Sequence, residues 1–510
     1  MLRKFYFGWR TMFSIKDFSA ALAVLVLLMS IMAGAATVAV QAQTGTSVLT
    51  VQSYDTTVPP KYQSQYTSVQ SLLTQFNTSL GPEPSQKNNF TYAAELLIAN
   101  GNQGPALFNS GNLNGVERNL QALKAMGVKG VTIAVGYPLL DPSFPNSSDY
   151  LQYFKTVVNM CHQDSFVVDI ESQVLFANTV YSSLTFNWSK LTYTDYVVNH
   201  IAQDNLICSQ IKPDILEIGV EADTEANLTG YVQLNTLSGW ASYINQLLNG
   251  IDKSGCKLAA GAGDWLTNPT QWVQGFADNP NLDYLSTHSY PLVTPFLSNL
   301  ISLGQFAQDH GKRIVFDEEW NTKVLRPENG GGGGGFGGPA ATQQDVFSYW
   351  IPVDVRFQQL MAKFSQIYPC EYLSPFPGDY YFFAYLTWTP QLDTQTFFEL
   401  HSLLNPIITQ NMANFTVSPT GAAYSALCLE TSSLTPTPTP TSAPTPTPTR
   451  APAHTPTHVP TPTLTSPPTS ATSSPSIPEF TLTIFFVFSV TVTSFVIMLK
   501  RNKSKTRNRK

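Results

Sequence analysis

Acidic side chains stand at the ends of several short apolar runs in this chain. Asp169 and Glu171 close one run, Glu221 follows a second, and Glu318 and Glu319 close a third. Two carboxyl groups that meet in one cleft can divide acid–base work, because burial and mutual repulsion keep one protonated while the other is ionised. The pattern therefore favours chemistry that needs one carboxylic acid and one carboxylate.

Polar and aromatic residues follow other apolar runs. His288 and Tyr290 form a His-x-Tyr sequence, Trp388 follows the last run, and Trp265 and Trp320 lie just after two others. Imidazole and phenol groups can hold a carboxylate by hydrogen bonds, and an indole ring offers a flat apolar platform. The alternative for His288 is a structural histidine, and the alternative for Trp388 is a core tryptophan.

Motifs of other enzyme classes are missing from the sequence. There is no HExxH, no GxSxG and no CxxC, which argues against a zinc protease, an α/β-hydrolase and a cysteine-bound zinc site. The glycine run at residues 330–338 follows a late strand and is predicted to be a loop tip. Nothing in the sequence asks for a metal or an organic cofactor.

Short apolar or β-branched runs alternate with stretches of helical periodicity. The predicted strands are Glu95–Ala99, Val131–Val135, Phe166–Ile170, Ile215–Val220, Lys257–Ala260, Tyr284–Thr287, Ile314–Phe316 and Tyr381–Thr387. Helices are predicted between them, for example over Val116–Ala125, Tyr150–Met160 and Gly239–Ile251. Eight such repeats predict an α/β fold, a closed (β/α)8 TIM barrel. An open doubly wound sheet would normally carry a GxGxxG loop after an early strand, and none is present there.

The carboxyl ends of the strands meet at one mouth of such a barrel, so the polar residues there are expected to converge. Alternation along the seventh strand places Ile314, Phe316 and Glu318 on one face. This favours Glu318 over Glu319 as the inward carboxyl group.

Other acids at this mouth have open alternatives. Glu217 sits deeper than Glu221 and is interpreted as a paired structural charge. Glu225 lies beyond the strand, as a substrate contact or a solvated loop residue. Asp169 and Glu171 are either subsite residues or members of an internal salt bridge.

This order of residues resembles the clan of retaining glycoside hydrolases built on (β/α)8 barrels. The resemblance implies that Glu221 is the general acid/base and Glu318 the nucleophile. It further implies that His288 and Tyr290 hold these carboxyls or a sugar hydroxyl, and that Trp388 floors a sugar subsite, which Trp265 and Trp320 extend. The clan usually has Asn immediately before the acid/base, whereas this chain has Val220.

The resemblance implies a glycosidase that acts on a polysaccharide or glycan by double displacement. Val220 favours the alternative, a non-catalytic glycan-binding or structural surface protein on the same barrel. The 510-residue chain is 43% apolar, enough for a large core, and carries a net charge of −6. An acidic surface repels phosphate backbones, so a nucleic-acid partner is not expected.

The N-terminal segment predicts export. A basic stretch precedes an apolar run over residues 20–36, and Val40-Gln41-Ala42 suits signal cleavage, so residues 1–42 are predicted to be a signal peptide. An uncleaved anchor helix is the alternative. Residues 43–89 form an N-terminal extension with a leading helix at Ser64–Leu80, and residues 90–431 form the barrel.

The C-terminal segments predict a tethered protein. Residues 432–477 are rich in Thr, Pro and Ser and are predicted to be a semi-rigid disordered stalk. Phe480–Leu499 is free of charge and a basic tail follows, so residues 478–510 predict a transmembrane helix with a cytoplasmic end. Together with Pro478-Glu479-Phe480 this resembles an archaeal surface sorting signal, which implies a sorting peptidase as a possible partner; an ordinary single-span anchor is the alternative.

An extracytoplasmic location agrees with two further patterns. Asn-x-Ser/Thr acceptors, which predict a glycoprotein, occur at Asn77, Asn89, Asn146, Asn187, Asn227 and Asn414. Five cysteines allow one or two disulfides in an oxidising environment. Cys161 and Cys208 each precede a predicted strand and are the first choice for a pair.

Overall fold

The computed structural model describes residues 38–40, 49–85, 87–179, 181–290, 296–319, 323, 345–376, 378–395 and 397–432. Most of the predicted signal, the glycine run, the predicted stalk beyond residue 432, the predicted anchor and Trp320 lie outside these residues. Those predictions therefore stay predictions. Within the described part of the chain, no helix has both the length and the apolarity that crossing a membrane requires.

Eight parallel strands close into a barrel. In the order β3 to β10, they are Thr91–Glu95, Gly130–Ala134, Val167–Glu171, Ile215–Glu217, Lys257–Gly261, Tyr284–Ser286, Arg313–Glu319 and Cys370–Pro375. Each strand pairs with the next along the chain, and β10 pairs with β3 to complete the ring. The predicted TIM barrel is confirmed.

Helices surround this ring. Among the described residues the helices α1 to α12 are Gln63–Leu80, Asn112–Ala125, Ser147–Gln163, Tyr193–Leu206, Ala222–Thr229, Leu237–Gly250, Pro269–Gln274, Phe296–Asp309, Ile351–Ile367, Gly378–Phe383, Phe397–Ala413 and Pro419–Ser432. Helix α4 begins at a capping box between Thr192 and Asp195, in which each side chain satisfies the backbone N–H of the other. The predicted leading helix is α1, and its Phe76 stacks on Phe364 of α9.

A small sheet lies beside the barrel. Strands β1 (Val38–Val40), β2 (Leu49–Val51) and β11 (Thr416–Val417) form it in that order. The sheet joins the N-terminal extension to the last part of the barrel domain.

Two of the predicted strands were wrong in position. The first ends at Glu95 instead of beginning there, and residues 97–99 form a 3-10 turn. The eighth strand is Cys370–Pro375, whereas Tyr381–Phe383 belongs to helix α10. That aromatic run is buried on every side by β3, α12 and the small sheet, so its apolar character reflects burial and not strand periodicity.

The inner surface of the barrel is layered. An apolar layer at the base contains Ala93, Ile215, Ala259, Val315 and Tyr372, with Val167 and Tyr284 against it. Side chains two residues apart along a strand lie on the same face, so the residues two positions further along these strands also point into the barrel. This layer, which we call the polar layer, contains Glu95, Thr132, Asp169, Glu217, Ser286, Asp317 and Ser374.

The disulfide prediction was wrong. Cys208 pairs with Cys256, and the two Cα atoms are 5.8 Å apart. Both cysteines precede neighbouring strands, β6 and β7, whereas Cys161 faces the buried core from α3. Cys161, Cys370 and Cys428 are buried and form no disulfide with another described residue.

Candidate active site

A bulge in strand β9 places two consecutive acids at the barrel mouth. Between Phe316 and Glu319 the strand advances three residues while its partner β10 advances two. The extra residue breaks the alternation, so Asp317 faces the barrel interior and Glu318 reaches the cavity as well. The alternation argument for Glu318 was therefore wrong, since Ile314 and Phe316 pack outward against the helices.

Glu319 points away from this mouth. It is buried, and its carboxyl group interacts with Gln358 of helix α9. Its position is consistent with the preference for Glu318 as the inward group, although the reason lies in the bulge.

Glu221 and Glu318 converge on one tyrosine. The Tyr290 hydroxyl donates to Glu318 Oε2 at 2.6 Å and lies 3.3 Å from Glu221 Oε1. His288 Nδ1 is 2.8 Å from Glu221 Oε1 and 3.6 Å from Glu318 Oε2. All four side chains are buried, with exposed fractions of at most 8%.

His288 is held between carboxylates. Its Nε2 lies 3.5 Å from Asp317 Oδ1, while its Nδ1 faces Glu221. Burial alone would lower the pKa of His288, but the carboxylates of Glu318 and Asp317 outweigh burial and hold that pKa well above its ordinary value. The carboxylates around His288 therefore favour the charged form of its ring.

The ionisation of Glu318 depends on the same neighbours. Burial raises the pKa of Glu318 to about 7, although the His288 charge and the Tyr290 hydrogen bond oppose the rise. Burial raises the pKa of the Tyr290 hydroxyl well above its usual value, so that it remains a hydrogen-bond donor.

Asp264 fixes the segment that carries His288 and Tyr290. It follows strand β7, accepts a hydrogen bond from Ser289 Oγ at 2.7 Å and accepts another from the backbone N–H of Tyr290 at 3.2 Å. Sequence reasoning missed Asp264, although its place three residues after a strand offered the same signal as the other strand-end acids.

Glu221 reaches the mouth at the start of helix α5, four residues beyond β6. The intervening Gly219 runs close to helix α6, where an added Cβ would lie 2.9 Å from Ile244 and 3.0 Å from Trp240. A glycine is therefore required for the chain to pass between the barrel and α6 before it turns towards the cavity.

A cavity of about 580 Å³ contains the two glutamates. The described residues that line it include Leu97, Ile98, Asn100, Asn102, Gln103, Asn119, Glu171, Val174, Phe176, Tyr181, Glu221, Glu318, Phe376, Tyr380, His401, Asn405, Ile408, Thr409 and Met412. The size lies in the range of small-molecule sites.

A concentration of acids lies beneath this cavity. Burial is the main reason that the pKa values of Asp169, Glu171 and Glu217 are raised well above their ordinary range, and neighbouring carboxyls such as Asp317 add to it. Among the described residues no lysine or arginine forms an ion pair with any of these three. His288 opposes the rise in the pKa of all three acids, so the paired-charge interpretation of Glu217 and the two alternatives for Asp169 and Glu171 stay predictions.

The nearby acids also have metal-ligand geometry. One ligating atom each from Glu171, His288 and Asp317 lie within 4.8 Å of one another. His288 could serve as a metal ligand here only after it loses the proton on the ligating nitrogen, because a protonated ring nitrogen has no lone pair to offer.

The other predicted site residues have different positions. Glu171 lines the cavity, and Trp265 stacks on Tyr290 with ring centroids 4.8 Å apart while its Nε1 donates to Asp223 Oδ2 at 3.0 Å. Trp388 is half-buried after helix α10 and is not among the described residues that line the cavity. The structure thus brings Trp265 into contact with Tyr290, whereas Trp388 is not among the described residues that line the cavity.

Glu225 is not a solvated loop residue, and it is not among the described residues that line the cavity. This carboxylate is fully buried beneath α5, where Tyr243 donates to its Oε1 at 2.5 Å and Tyr196 donates to the same oxygen. The helical turn after Glu221 carries Glu225 inward, because residues four apart lie on the same face of a helix.

A scan against protein-family models gives no match, and a search of curated proteins gives none either. Solved structures with some likeness include a GH5_18 protein from Bifidobacterium longum subsp. longum in complex with Manb1-4GlcNAc, at 11% identity and a TM-score of 0.43, covering 68% of this chain and 79% of that one. An exo-beta-1,4-mannosidase, Op5Man5, from Opitutaceae bacterium strain TAV5 has 10% identity and a TM-score of 0.41, with 69% of this chain and 62% of that one covered. A GH5_18 protein from Streptomyces cattleya in complex with GlcNAc has 11% identity and a TM-score of 0.42, with coverage of 69% and 83%. At these values the likeness assigns no family, and the (β/α)8 barrel stands on the strand order of the chain itself.

Proposed function

We propose that the protein is a retaining glycoside hydrolase with Glu318 as the nucleophile and Glu221 as the general acid/base. The observation that carries this proposal is the closeness of the two carboxyl groups, which have oxygens within 4.8 Å of each other in one cavity. Retaining enzymes hold their carboxyls about 5–5.5 Å apart, while inverting enzymes leave about 6.5–9.5 Å for a water molecule.

In the first step, the ionised Glu318 attacks the anomeric carbon of the bound sugar. Protonated Glu221 gives its proton to the glycosidic oxygen as the bond to the leaving group breaks. Tyr290 holds Glu318 Oε2 by its 2.6 Å hydrogen bond and leaves the other carboxylate oxygen for attack. The product of this step is a glycosyl ester of Glu318 and a free alcohol.

In the second step, ionised Glu221 removes a proton from a water molecule, which attacks the same carbon. The bond to Glu318 breaks, and the sugar leaves with the configuration that it had at the start. His288 Nδ1 lies 2.8 Å from Glu221 Oε1, so a protonated ring can stabilise the carboxylate once Glu221 has given up its proton.

The Glu318→Gln substitution tests the nucleophile. We expect Glu318→Gln to lose turnover of activated aryl glycosides. Glu319→Gln makes the same chemical change at the neighbouring outward position and should retain turnover. Thermal unfolding checks that both variants are folded. Nuclear magnetic resonance of the first product should show the retained anomer. Full activity in Glu318→Gln, or an inverted first product, would contradict the mechanism.

A second candidate function is glycan binding without hydrolysis. Val220, immediately before Glu221, is fully buried and offers no hydrogen-bonding side chain to a sugar. A glycan array run beside a product-release assay separates the two functions, since binding to a glycan that is never cleaved would support this second candidate.

The location at the cell surface is also a proposal. It is supported by the apolar N-terminal run, the Thr/Pro-rich segment at 432–477 and the uncharged segment Phe480–Leu499 with its basic tail. Removal of residues 478–510 should release the protein from the membrane fraction if that segment is an anchor. A smaller mass of the mature C-terminus than the sequence predicts would point to a sorting peptidase.

A further inference from the structure

The cavity extends from the two glutamates to helix α11. Five aliphatic side chains line this extension: Leu97, Ile98, Val174, Ile408 and Met412. We call this set the apolar wall. Its side chains provide neither hydrogen bonds nor the flat ring on which a sugar stacks.

Three elements build the apolar wall. Leu97 and Ile98 lie in the 3-10 turn after β3 and are half-buried. Ile408 and Met412 lie four residues apart on α11, which places them on one face of that helix. They are 5% and 3% exposed, so their surfaces are turned towards the protein and the cavity.

Four of the polar side chains that line the cavity make hydrogen bonds to the backbone. Gln103, Asn119 and Thr409 each donate to a backbone carbonyl group. The Asn102 side-chain oxygen accepts the backbone N–H of Phe176 at 2.9 Å. Because part of the hydrogen-bonding capacity of these side chains already serves the fold, a hydroxyl entering this part of the cavity would regain only some of the hydrogen bonds that it makes to water, whereas a methylene group would gain by leaving water.

We propose that the apolar wall binds the alkyl chain of an amphiphilic glycoside, so that the sugar occupies the end of the cavity at Glu221 and Glu318. This inference rests on the proposed hydrolase function, because the wall and the two glutamates share one cavity. The substrate class is then an alkyl glycoside of the glycolipid type.

A homologous series of substrates tests the apolar wall. A panel of methyl glycosides of glucose, galactose, mannose and N-acetylglucosamine first identifies the sugar, and the methyl to octyl glycosides of that sugar are then compared below their critical micelle concentrations. We expect kcat/KM to rise about fourfold for each methylene buried, which is the transfer free energy of one methylene converted to a ratio. The gain should appear in KM, because the chain makes the same contacts in the ground state and the transition state.

Substitutions then locate the chain. Ile98→Asn and Met412→Gln should each lower the ratio of octyl to methyl kcat/KM at least fourfold. Val232→Asn is the matched control, because Val232 is 77% exposed and does not line the cavity. Thermal unfolding checks that each variant is folded. If a variant does not fold, the substrate series in the wild-type protein still tests the apolar wall.

Binding separates this inference from the proposed function. Calorimetry of the same alkyl glycosides with Glu318→Gln reports affinity in the absence of turnover. Hydrolysis that does not depend on chain length would overturn the apolar wall and leave the hydrolase standing. Binding that strengthens with chain length, without hydrolysis of any glycoside, would support the wall and overturn the hydrolase. Neither binding nor hydrolysis would overturn both.

Discussion

Removal of the Tyr290 hydroxyl should move the pH dependence of the proposed hydrolysis. In Tyr290→Phe, Glu318 Oε2 loses the donor that lies 2.6 Å away. This hydrogen bond favours the ionised carboxylate and so lowers the pKa of Glu318, which stands at about 7 in the intact site. The substitution therefore raises this pKa.

The size of the shift follows from the strength of the bond. A hydrogen bond to a charged group contributes about 1.5–3 kcal/mol, and one pKa unit corresponds to about 1.4 kcal/mol. The pKa of Glu318 should rise by about one to two units. Because the nucleophile must be ionised, kcat/KM increases with pH through this pKa, so the rising limb of the profile should move upward by the same amount.

The assay is kcat/KM against pH for a dinitrophenyl glycoside, whose leaving group needs little help from an acid and so isolates Glu318. Tyr153→Phe is the matched control, because the Tyr153 hydroxyl donates at 2.6 Å to Asn112, which does not line the cavity. The control should keep the wild-type profile. A rising limb that stays in place in Tyr290→Phe, whatever the change in rate, would refute the role of Tyr290 in ionising Glu318.

Two further predictions concern stability. Burial raises the pKa of Asp169 in the folded state, so the unfolded chain releases this proton at a lower pH than the folded protein does. The unfolding free energy therefore falls as pH rises above the ordinary Asp pKa, by up to about 1.4 kcal/mol per pH unit. In urea titrations Asp169→Asn should raise the unfolding free energy at pH 7 but not at pH 3.5, and equal effects at both pH values would contradict this origin. The Cys208–Cys256 disulfide spans 48 residues, so Cys256→Ser should destabilise the protein by about 4 kcal/mol in the chain-entropy account. The double variant with Cys208→Ser should cost no more than the single change, and a larger loss in the double variant would show that the two thiols act separately.

Much of the fold was accessible from the sequence because its signals are local. Strand β4 (Gly130–Ala134) and helix α6 (Leu237–Gly250) each lie within two residues of their predicted bounds. The spacing of apolar residues within each of these two elements reflects the burial of that element's own face, so it can be recognised without knowing the neighbouring elements. The eighth strand was missed because Cys370–Pro375 mixes buried apolar residues with Glu371 and Ser374, whereas the aromatic run after it is more apolar but helical.

The site was harder to predict where it depends on contacts between strands. The bulge in β9 arises from its pairing with β10, so no pattern within residues 313–319 reveals that both Asp317 and Glu318 face inward. Glu225 shows the same limitation, since its burial depends on Tyr196 and Tyr243 from two other helices. The strand-end positions of Glu221 and His288 were predictable, because the carboxyl ends of barrel strands meet whatever the details of packing.

The polar layer connects the stability of the barrel with its proposed chemistry. Barrel interiors of this fold are usually filled with bulky apolar side chains, yet here Asp169, Glu217 and Asp317 occupy the level below Glu221 and Glu318. Because the pKa values of Asp169 and Glu217 are raised, the folded protein keeps these two protons at pH values at which the unfolded chain has released them. The raised pKa of His288 acts in the same direction, since the stability that comes from its charged form is also lost as pH rises. Ionisation of Glu318, by contrast, is completed only above pH 7. The buried acids therefore make the fold less stable as pH rises towards neutrality, which is the range in which Glu318 ionises, so the proposed activity should rise over a pH range in which stability declines.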